Sequence, residues 1–155
     1  MEFPSICNGI DQEKIIFDLA DVDFDIEQLL AHKDWLTQVA SNENRDIVSL
    51  SYILCSDQYL HRINVDYLDH DTLTDIITFE LGNPQDENIE GEIYISIDRV
   101  LDNAKQLSVD FIVELSRVLV HGLLHLIGYP DKTSKEKEAM RGKEDHYLAL
   151  LERMS

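Results

Sequence analysis

Hydrophobic positions along this chain recur with two periods, and the changes of period outline its elements. Ile15-Ile16-Phe17 and the run Ile47–Cys55 (IVSLSYILC) have the alternation and β-branched enrichment of strands. Between them, Asp25 followed by Gln28 three residues later reads as a capping box. It opens a helix that carries Ile26, Leu29, Leu30, Leu36 and Val39. Ser56 is placed to cap a short helix through about Val65. Ile76–Phe79 and Ile93–Ser96 then read as two short strands separated by the polar loop Gly82–Gly91. Residues 97–107 and 110–127 have helical spacing. Thr133 with Glu136 makes a second capping box, which opens a final amphipathic helix to about Met154.

In chain order this gives strand, helix, strand, helix, two strands and three helices. The order predicts an α+β fold, a small mixed four-stranded sheet covered by helices, in one domain spanning 1–155. A length of 155 residues and a hydrophobic content of 44% suffice for one core and exclude wholesale disorder. No repeat, low-complexity tract or Pro/Gly/Ser-rich linker divides the chain. Segment 110–127 is apolar over most of its circumference and is expected to be the central buried helix. Its few polar residues are therefore the informative ones.

Charge changes the picture most. Against 13 Lys and Arg stand 31 Asp and Glu, a formal net charge of −18. Residues 1–131 carry 7 basic and 26 acidic side chains, whereas 132–155 carry 6 and 5. The acidity belongs to the body, and only the C-terminal segment does not repel anions. Nonspecific, charge-driven nucleic-acid binding is disfavoured, and DNA is not an expected partner. Met1-Glu2-Phe3-Pro4-Ser5 lacks the basic start and apolar run of a signal peptide. The longest nearly uninterrupted apolar run, near Val118–Leu126, is too short to span a membrane. Cys7 and Cys55 lack CxxC spacing, so two buried free thiols are expected rather than a disulfide. These features predict a cytoplasmic protein without membrane attachment.

The stretch that carries chemistry is His121-Gly122-Leu123-Leu124-His125-Leu126-Ile127-Gly128-Tyr129-Pro130-Asp131. Residues four apart share a helical face with a rise of about 6 Å, so the two imidazoles can converge on one metal ion. Gly128 can take a left-handed conformation, and Pro130 keeps the helix from continuing. The chain then turns back, and Asp131 can deliver a carboxylate to the same point. Three protein ligands and a fourth position for water are the arrangement of a catalytic zinc site. A plainer reading makes the histidines core residues and Gly128 with Pro130 an ordinary helix stop. The acidic residue just past the turn favours metal. Gly122 stands where H-E-x-x-H peptidases carry their glutamate base, so peptidase activity of that type is not expected.

This stretch resembles the YbeY family of bacterial metal-dependent endoribonucleases of ribosomal RNA maturation, whose signature is H-G-x-L-H-L-x-G-Y-D-H. His121, Gly122, Leu124, His125, Leu126, Gly128 and Tyr129 match it. Tyr67, Asp71, Thr74, Asp75 and Phe79 fall on the family pattern Y-R-G-K-D-x-x-T-[DN]-V-L-S-F, and Gly91-Glu92-Ile93-Tyr94-Ile95-Ser96 on its G-D-I-x-I-S strand. The resemblance implies a single YbeY-like domain with a metal-binding central helix. It implies one zinc ion (Zn2+) per chain at His121, His125 and Asp131, with ribosomal RNA and ribosome-associated proteins as partners.

The sequence departs from the family in two places. The signature's third His falls on Asp131 and its preceding Asp on Pro130. A carboxylate is an acceptable zinc ligand. It leaves the site one unit less positive than three histidines would, which makes harder ions such as manganese more competitive. Leu68 stands where the family has an Arg suited to contacting phosphate. Arg62, about two turns earlier, is either its substitute or an ordinary surface residue.

Other residues carry weaker expectations. Arg117 lies one turn before His121, bordering the site or pairing with an acid, the structural role being favoured. His70, between Asp69 and Asp71, is in a loop that the family resemblance places near the cavity, as a candidate substrate contact. His32, His61 and His146 are predicted on polar faces without a role, and Met140 in the core. Lys132, Lys135, Lys137, Arg141 and Lys143 alternate with Glu136, Glu138, Glu144 and Asp145, which makes either a solvated helix face or an RNA-phosphate contact strip. Three functions remain open: the endoribonuclease, a ribosome-associated assembly factor with a structural metal, and a metal hydrolase of another substrate.

Overall fold

A computed structural model describes residues 13–68, 74–83 and 87–154. In chain order it contains β1 (Ile15–Leu19), a 3-10 turn (Ile26–Leu29) running into α1 (Leu30–Asn42), β2 (Asp46–Cys55) and α2 (Asp57–Leu68). There follow β3 (Ile76–Glu80), β4 (Asn88–Ser96), α3 (Ile97–Leu107), α4 (Phe111–Ile127) and α5 (Ser134–Met154). The strands form one mixed sheet in the order β1-β2-β4-β3, parallel between β1, β2 and β4 and antiparallel between β4 and β3. This is the α+β element order read from the sequence. No helix among the described residues is long and apolar enough to cross a membrane.

The register assigns the two faces. Phe17 pairs with Tyr52, Tyr52 with Ile93 and Ile93 with Thr78, so these residues and their i±2 neighbours share one side. On that side Leu50, Tyr52, Leu54, Ile93 and Ile95 are fully buried in a core with Trp35, Leu36, Leu115, Leu119 and Leu123. Helix α4 is buried over most of its circumference, as its composition predicts. Tyr52 donates its hydroxyl to the Leu119 carbonyl at 2.8 Å, and Trp35 Nε1 donates to the Tyr147 carbonyl at 2.7 Å. Both large rings thus bury apolar surface without orphaning a polar atom. On the opposite face α2 packs over a smaller core of Cys55, Leu60, Ile63 and Ile77, edged by Tyr59, Phe79 and Tyr94.

Two glycines let α4 lie close on the sheet. A Cβ at Gly122 would stand 2.9 Å from Ile93 Cδ1 and 3.0 Å from Ile76 Cδ1. At Gly91 it would stand 2.8 Å from Leu126 Cδ1 and 2.9 Å from the Phe79 carbonyl oxygen. The last contact is with backbone, which no rotamer change relieves. Gly91→Ala is therefore expected to cost about 1–3 kcal/mol by overpacking. Urea denaturation should show a lower midpoint at an unchanged slope.

The caps follow the sequence in part. Ser56 Oγ accepts from the Tyr59 amide at 3.1 Å and starts α2, which runs on to Leu68. Thr133 Oγ1 accepts from the Glu136 amide at 3.1 Å while Glu136 Oε1 accepts from the Thr133 amide at 3.0 Å, a complete capping box. Asp25 behaves differently: its Oδ1 accepts from the Glu27 amide at 3.1 Å, and the chain makes a 3-10 turn before α1 starts at Leu30, whose side chain is exposed. Strand β4 begins at Asn88 rather than Ile93, because ladder pairing with Asp46, Ile47 and Ser49 of β2 holds its polar start.

His32 corrects the sequence reading. It is buried beside Trp35, Leu36, Val39 and Ala40, with Nε2 2.9 Å from Ser116 Oγ. The Ser116 hydroxyl proton is committed to the Ile112 carbonyl at 2.7 Å, so His32 Nε2 is the donor. Burial lowers its pKa below 6.5. Its i, i+3, i+4, i+7 spacing with Trp35, Leu36 and Val39 is the pattern of a core face. Cys55 is a buried free thiol, as expected; Cys7 lies outside the described residues.

Candidate metal centre

Helix α4 leaves only a narrow strip incompletely covered, and His121 and His125 occupy it, with side chains 22% and 27% exposed. Their rings meet edge to face with centroids 4.5 Å apart. The helix stops at Gly128, whose φ of 121° lies in the region that side chains disfavour. Its amide donates to the Leu124 and His125 carbonyls, and the Tyr129 amide donates to Leu124 as well. This closes the last turn and swings Pro130 and Asp131 back over the strip. Asp131 Oδ2 comes to rest 3.4 Å from His121 Nε2 and 3.3 Å from His125 Nε2. The three donor atoms lie within 4.8 Å of one another, and this is the one such group among the described residues. Tetrahedral ligands about 2.0–2.1 Å from zinc are spaced about 3.3–3.4 Å apart. The two contacts to Asp131 have that spacing, so the donor set could hold a divalent ion.

A second layer orients the first. Glu144 of α5 is buried and sets Oε2 2.6 Å from His121 Nδ1. The imidazole must donate there, which leaves the Nε2 lone pair directed at the gap shared with Asp131. Burial acts to lower the His121 pKa, but the hydrogen bond and charge of Glu144, with the charges of Asp131 and Asp75, hold it above 6.5. Burial acts to raise Glu144, and its bonds to His121 and Arg117 hold it below 4.5. Arg117 reaches Glu144 Oε1 at 2.8 Å with one nitrogen and Asp145 Oδ1 at 2.6 Å with another. Arg117 therefore pairs with acids, the structural role expected of it.

The turn that delivers Asp131 is clamped from behind. Arg45 Nη2 donates to the Ile127 carbonyl at 2.8 Å, at the negative end of α4. Glu43 accepts from the Tyr129 hydroxyl at 2.6 Å, from Lys143 Nζ at 3.0 Å and from the Tyr147 hydroxyl. One carboxylate thus ties the turn to α1 and α5.

The other predicted residues are dispersed. His70 and the side chain of Leu68 lie outside the described residues. Arg62 is exposed on α2, where its charge acts on Asp21. Asp75 is half-buried, and burial raises its pKa; His121 is among the charges acting on it. Lys132, Lys135, Lys137 and Arg141 are exposed, whereas Lys143 turns away to Glu43 and lies over the Tyr129 ring. Glu144 is the residue beside the three donors that the sequence reading passed over. Its signal is a carboxylate in the apolar stripe Met140, Glu144, Tyr147, Leu151 of an otherwise polar helix.

The fold and site define an α+β domain whose central helix and following turn bring two imidazoles and a carboxylate together. Residues 14–152 match the family described as Endoribonuclease YbeY, and the chain belongs to that family. Endoribonuclease YbeY of Cytophaga hutchinsonii is 50% identical over 139 residues, spanning 90% of this chain and 96% of that protein. Endoribonuclease YbeY of Amoebophilus asiaticus is 48% identical over 134 residues, spanning 86% and 90%. A Thermotoga maritima protein whose structure was determined in solution is similar with a TM-score of 0.64 and 28% identity over 88% of each chain.

Proposed function

We propose that this protein is a metal-dependent endoribonuclease of ribosomal RNA maturation, acting in the cytoplasm with one zinc ion held by His121, His125 and Asp131. The observation that carries the reading is the convergence of the three donor atoms on the uncovered strip of α4, in a chain of the YbeY family. When bound, a divalent ion there supplies Lewis-acid polarisation of a scissile phosphate and neutralises charge that develops on it. The chain's own residues prepare the place. Glu144 holds the His121 proton on Nδ1, Arg117 holds Glu144, and Glu43 fixes the turn that carries Asp131. Gly122 is pressed against the sheet and offers no counterpart to the glutamate base of H-E-x-x-H peptidases. That keeps the reading with phosphoester rather than peptide hydrolysis.

The test is metal analysis joined to cleavage of ribosomal RNA. Purified protein is expected to carry about one zinc per chain, to lose cleavage on chelation and to regain it when zinc is returned. Stoichiometric metal without any RNA cleavage would leave the assembly-factor reading in its place. The contact strip is tested separately. If the exposed Lys135 and Lys137 meet phosphate, reversing both to Glu weakens RNA binding. The salt dependence then flattens by about 0.7 in log–log slope per lost contact. An unchanged slope places the RNA elsewhere.

A further inference from the structure

A cleft of about 440 Å³ runs between α1, α4 and α5, and none of His121, His125 and Asp131 lines it. Ile112 and Val113 of α4 with Leu148 and Leu151 of α5 supply its apolar walls. Val113 is 45% exposed, so this apolar surface meets water. The most deeply buried residues that line it are His32 of α1 and Ser116 of α4. The volume lies within the about 300–1,000 Å³ of ligand pockets, and the space between packed helices is a common place for one.

The hydrogen bonds of these two residues leave one atom out. The Ser116 hydroxyl donates to the Ile112 carbonyl at 2.7 Å and therefore accepts from His32 Nε2 at 2.9 Å. Burial holds the His32 pKa below 6.5, so at neutral pH the ring is uncharged. With its proton on Nε2, the Nδ1 atom carries a bare lone pair. Among the described residues Nδ1 has no hydrogen-bond partner, and it is closed off from solvent. Buried polar atoms are nearly all paired, and an acceptor left without a donor is costly. The Ser116 bond satisfies Nε2 alone, so Nδ1 calls for a donor from elsewhere. Charge narrows the choice of that donor. Asp145 and Glu152 line the cleft beside Arg117, whose guanidinium is already committed to Glu144 and Asp145. An anion meets a net negative edge here, and a cation would have to leave water for aliphatic walls. An uncharged donor on an apolar body meets neither penalty.

We propose that this cleft binds a small uncharged ring compound carrying one N–H or O–H donor, with its ring between the aliphatic walls and its donor on His32 Nδ1. The half-buried wall side chains give way as the ring enters, which opens Nδ1 to it. The inference goes beyond the nuclease reading and uses none of the three metal donors.

The probes are indole and benzofuran, two rings of one shape, the second with an oxygen acceptor in place of the N–H. Each is titrated into 15N-labelled protein and followed by NMR. Wild type is expected to bind indole at least about tenfold more tightly than benzofuran, with amide shifts centred on the residues of the cleft. Indole should also move the His32 Nδ1 resonance from the position of a bare imidazole nitrogen toward that of one accepting a hydrogen bond, and benzofuran should not. That measurement needs no variant. In His32→Phe, which keeps a ring in place, the preference for indole should vanish. Val113→Trp, at a partly exposed wall position, should fill the cleft and weaken both probes. A dispersed amide spectrum confirms the fold of each variant. Chelated protein should give the same titrations as metal-loaded protein, which separates this result from any failure of the metal reading. The proposal is overturned if wild type binds neither probe or both alike, if indole leaves the Nδ1 resonance unmoved, or if His32→Phe keeps the preference.

Discussion

Replacing His121 and His125 together by Ala is expected to abolish stoichiometric metal binding and RNA cleavage while leaving the fold intact. Asp131 alone cannot retain an ion, and His121→Ala, with two donors left, should keep only a weak site. The lost Lewis-acid contribution is several kcal/mol, a rate loss on the order of 10³-fold or more. Both rings lie on the incompletely covered strip of α4 and outside the hydrophobic core, so truncating them opens no cavity within it. Two measurements distinguish this from unfolding. Metal-free, the double variant should still unfold in one cooperative transition, at a somewhat lower temperature than wild type because it lacks the His121–Glu144 hydrogen bond. Added zinc should raise the melting temperature of wild type only, because a ligand that binds the native state alone stabilises it by mass action. Stoichiometric metal in the double variant would sink the ligand assignment.

How much of this was legible in the sequence depended on whether the signal was local. The capping residues Ser56 and Thr133 act within a few positions of themselves, and they cap the helices they were expected to cap. The i, i+4 spacing of His121 and His125 and the stop at Gly128 are equally local, so the convergence with Asp131 could be foreseen from helical geometry. His32 and Glu144 are the opposite case. Each polar group is acceptable in the core only because of a partner far along the chain, Ser116 for His32 and His121 with Arg117 for Glu144. Polarity by itself sent both to the surface. Their positions within apolar stripes pointed inward, and where the two signals conflict the stripe is the better guide, since a buried charge needs only paired neighbours. The polar start of β4 was hidden for a related reason, since its pairing with β2 depends on a strand 42 residues earlier at the first bridge, Asp46 to Asn88.

Glu144→Gln is expected to weaken metal binding by about 10- to 100-fold, the range found when an outer-shell partner of a ligating histidine is removed. Gln keeps the size of the side chain and can still accept from His121, but it carries no charge to favour the Nδ1–H form or to pair with Arg117. The loss should appear in metal titrations whatever the substrate, and Glu144→Asp, which keeps the charge, should recover part of it. Metal-free protein gives an independent reading through pH. In wild type the His121 pKa is held above 6.5, so the imidazolium–Glu144 interaction contributes stability below 6.5 that is lost as pH rises through the raised value. The Glu144 pKa is held below 4.5, so its share is present above 4.5 and lost as pH falls through the lowered value. The stability difference between wild type and Glu144→Gln should therefore be greatest between about 4.5 and 6.5 and shrink on either side. Chemical denaturation of both chains across that range measures it directly. A difference independent of pH would mean that Glu144 acts by packing alone. Unaltered zinc affinity in Glu144→Gln would remove it from the metal centre, even though it lies 2.6 Å from His121.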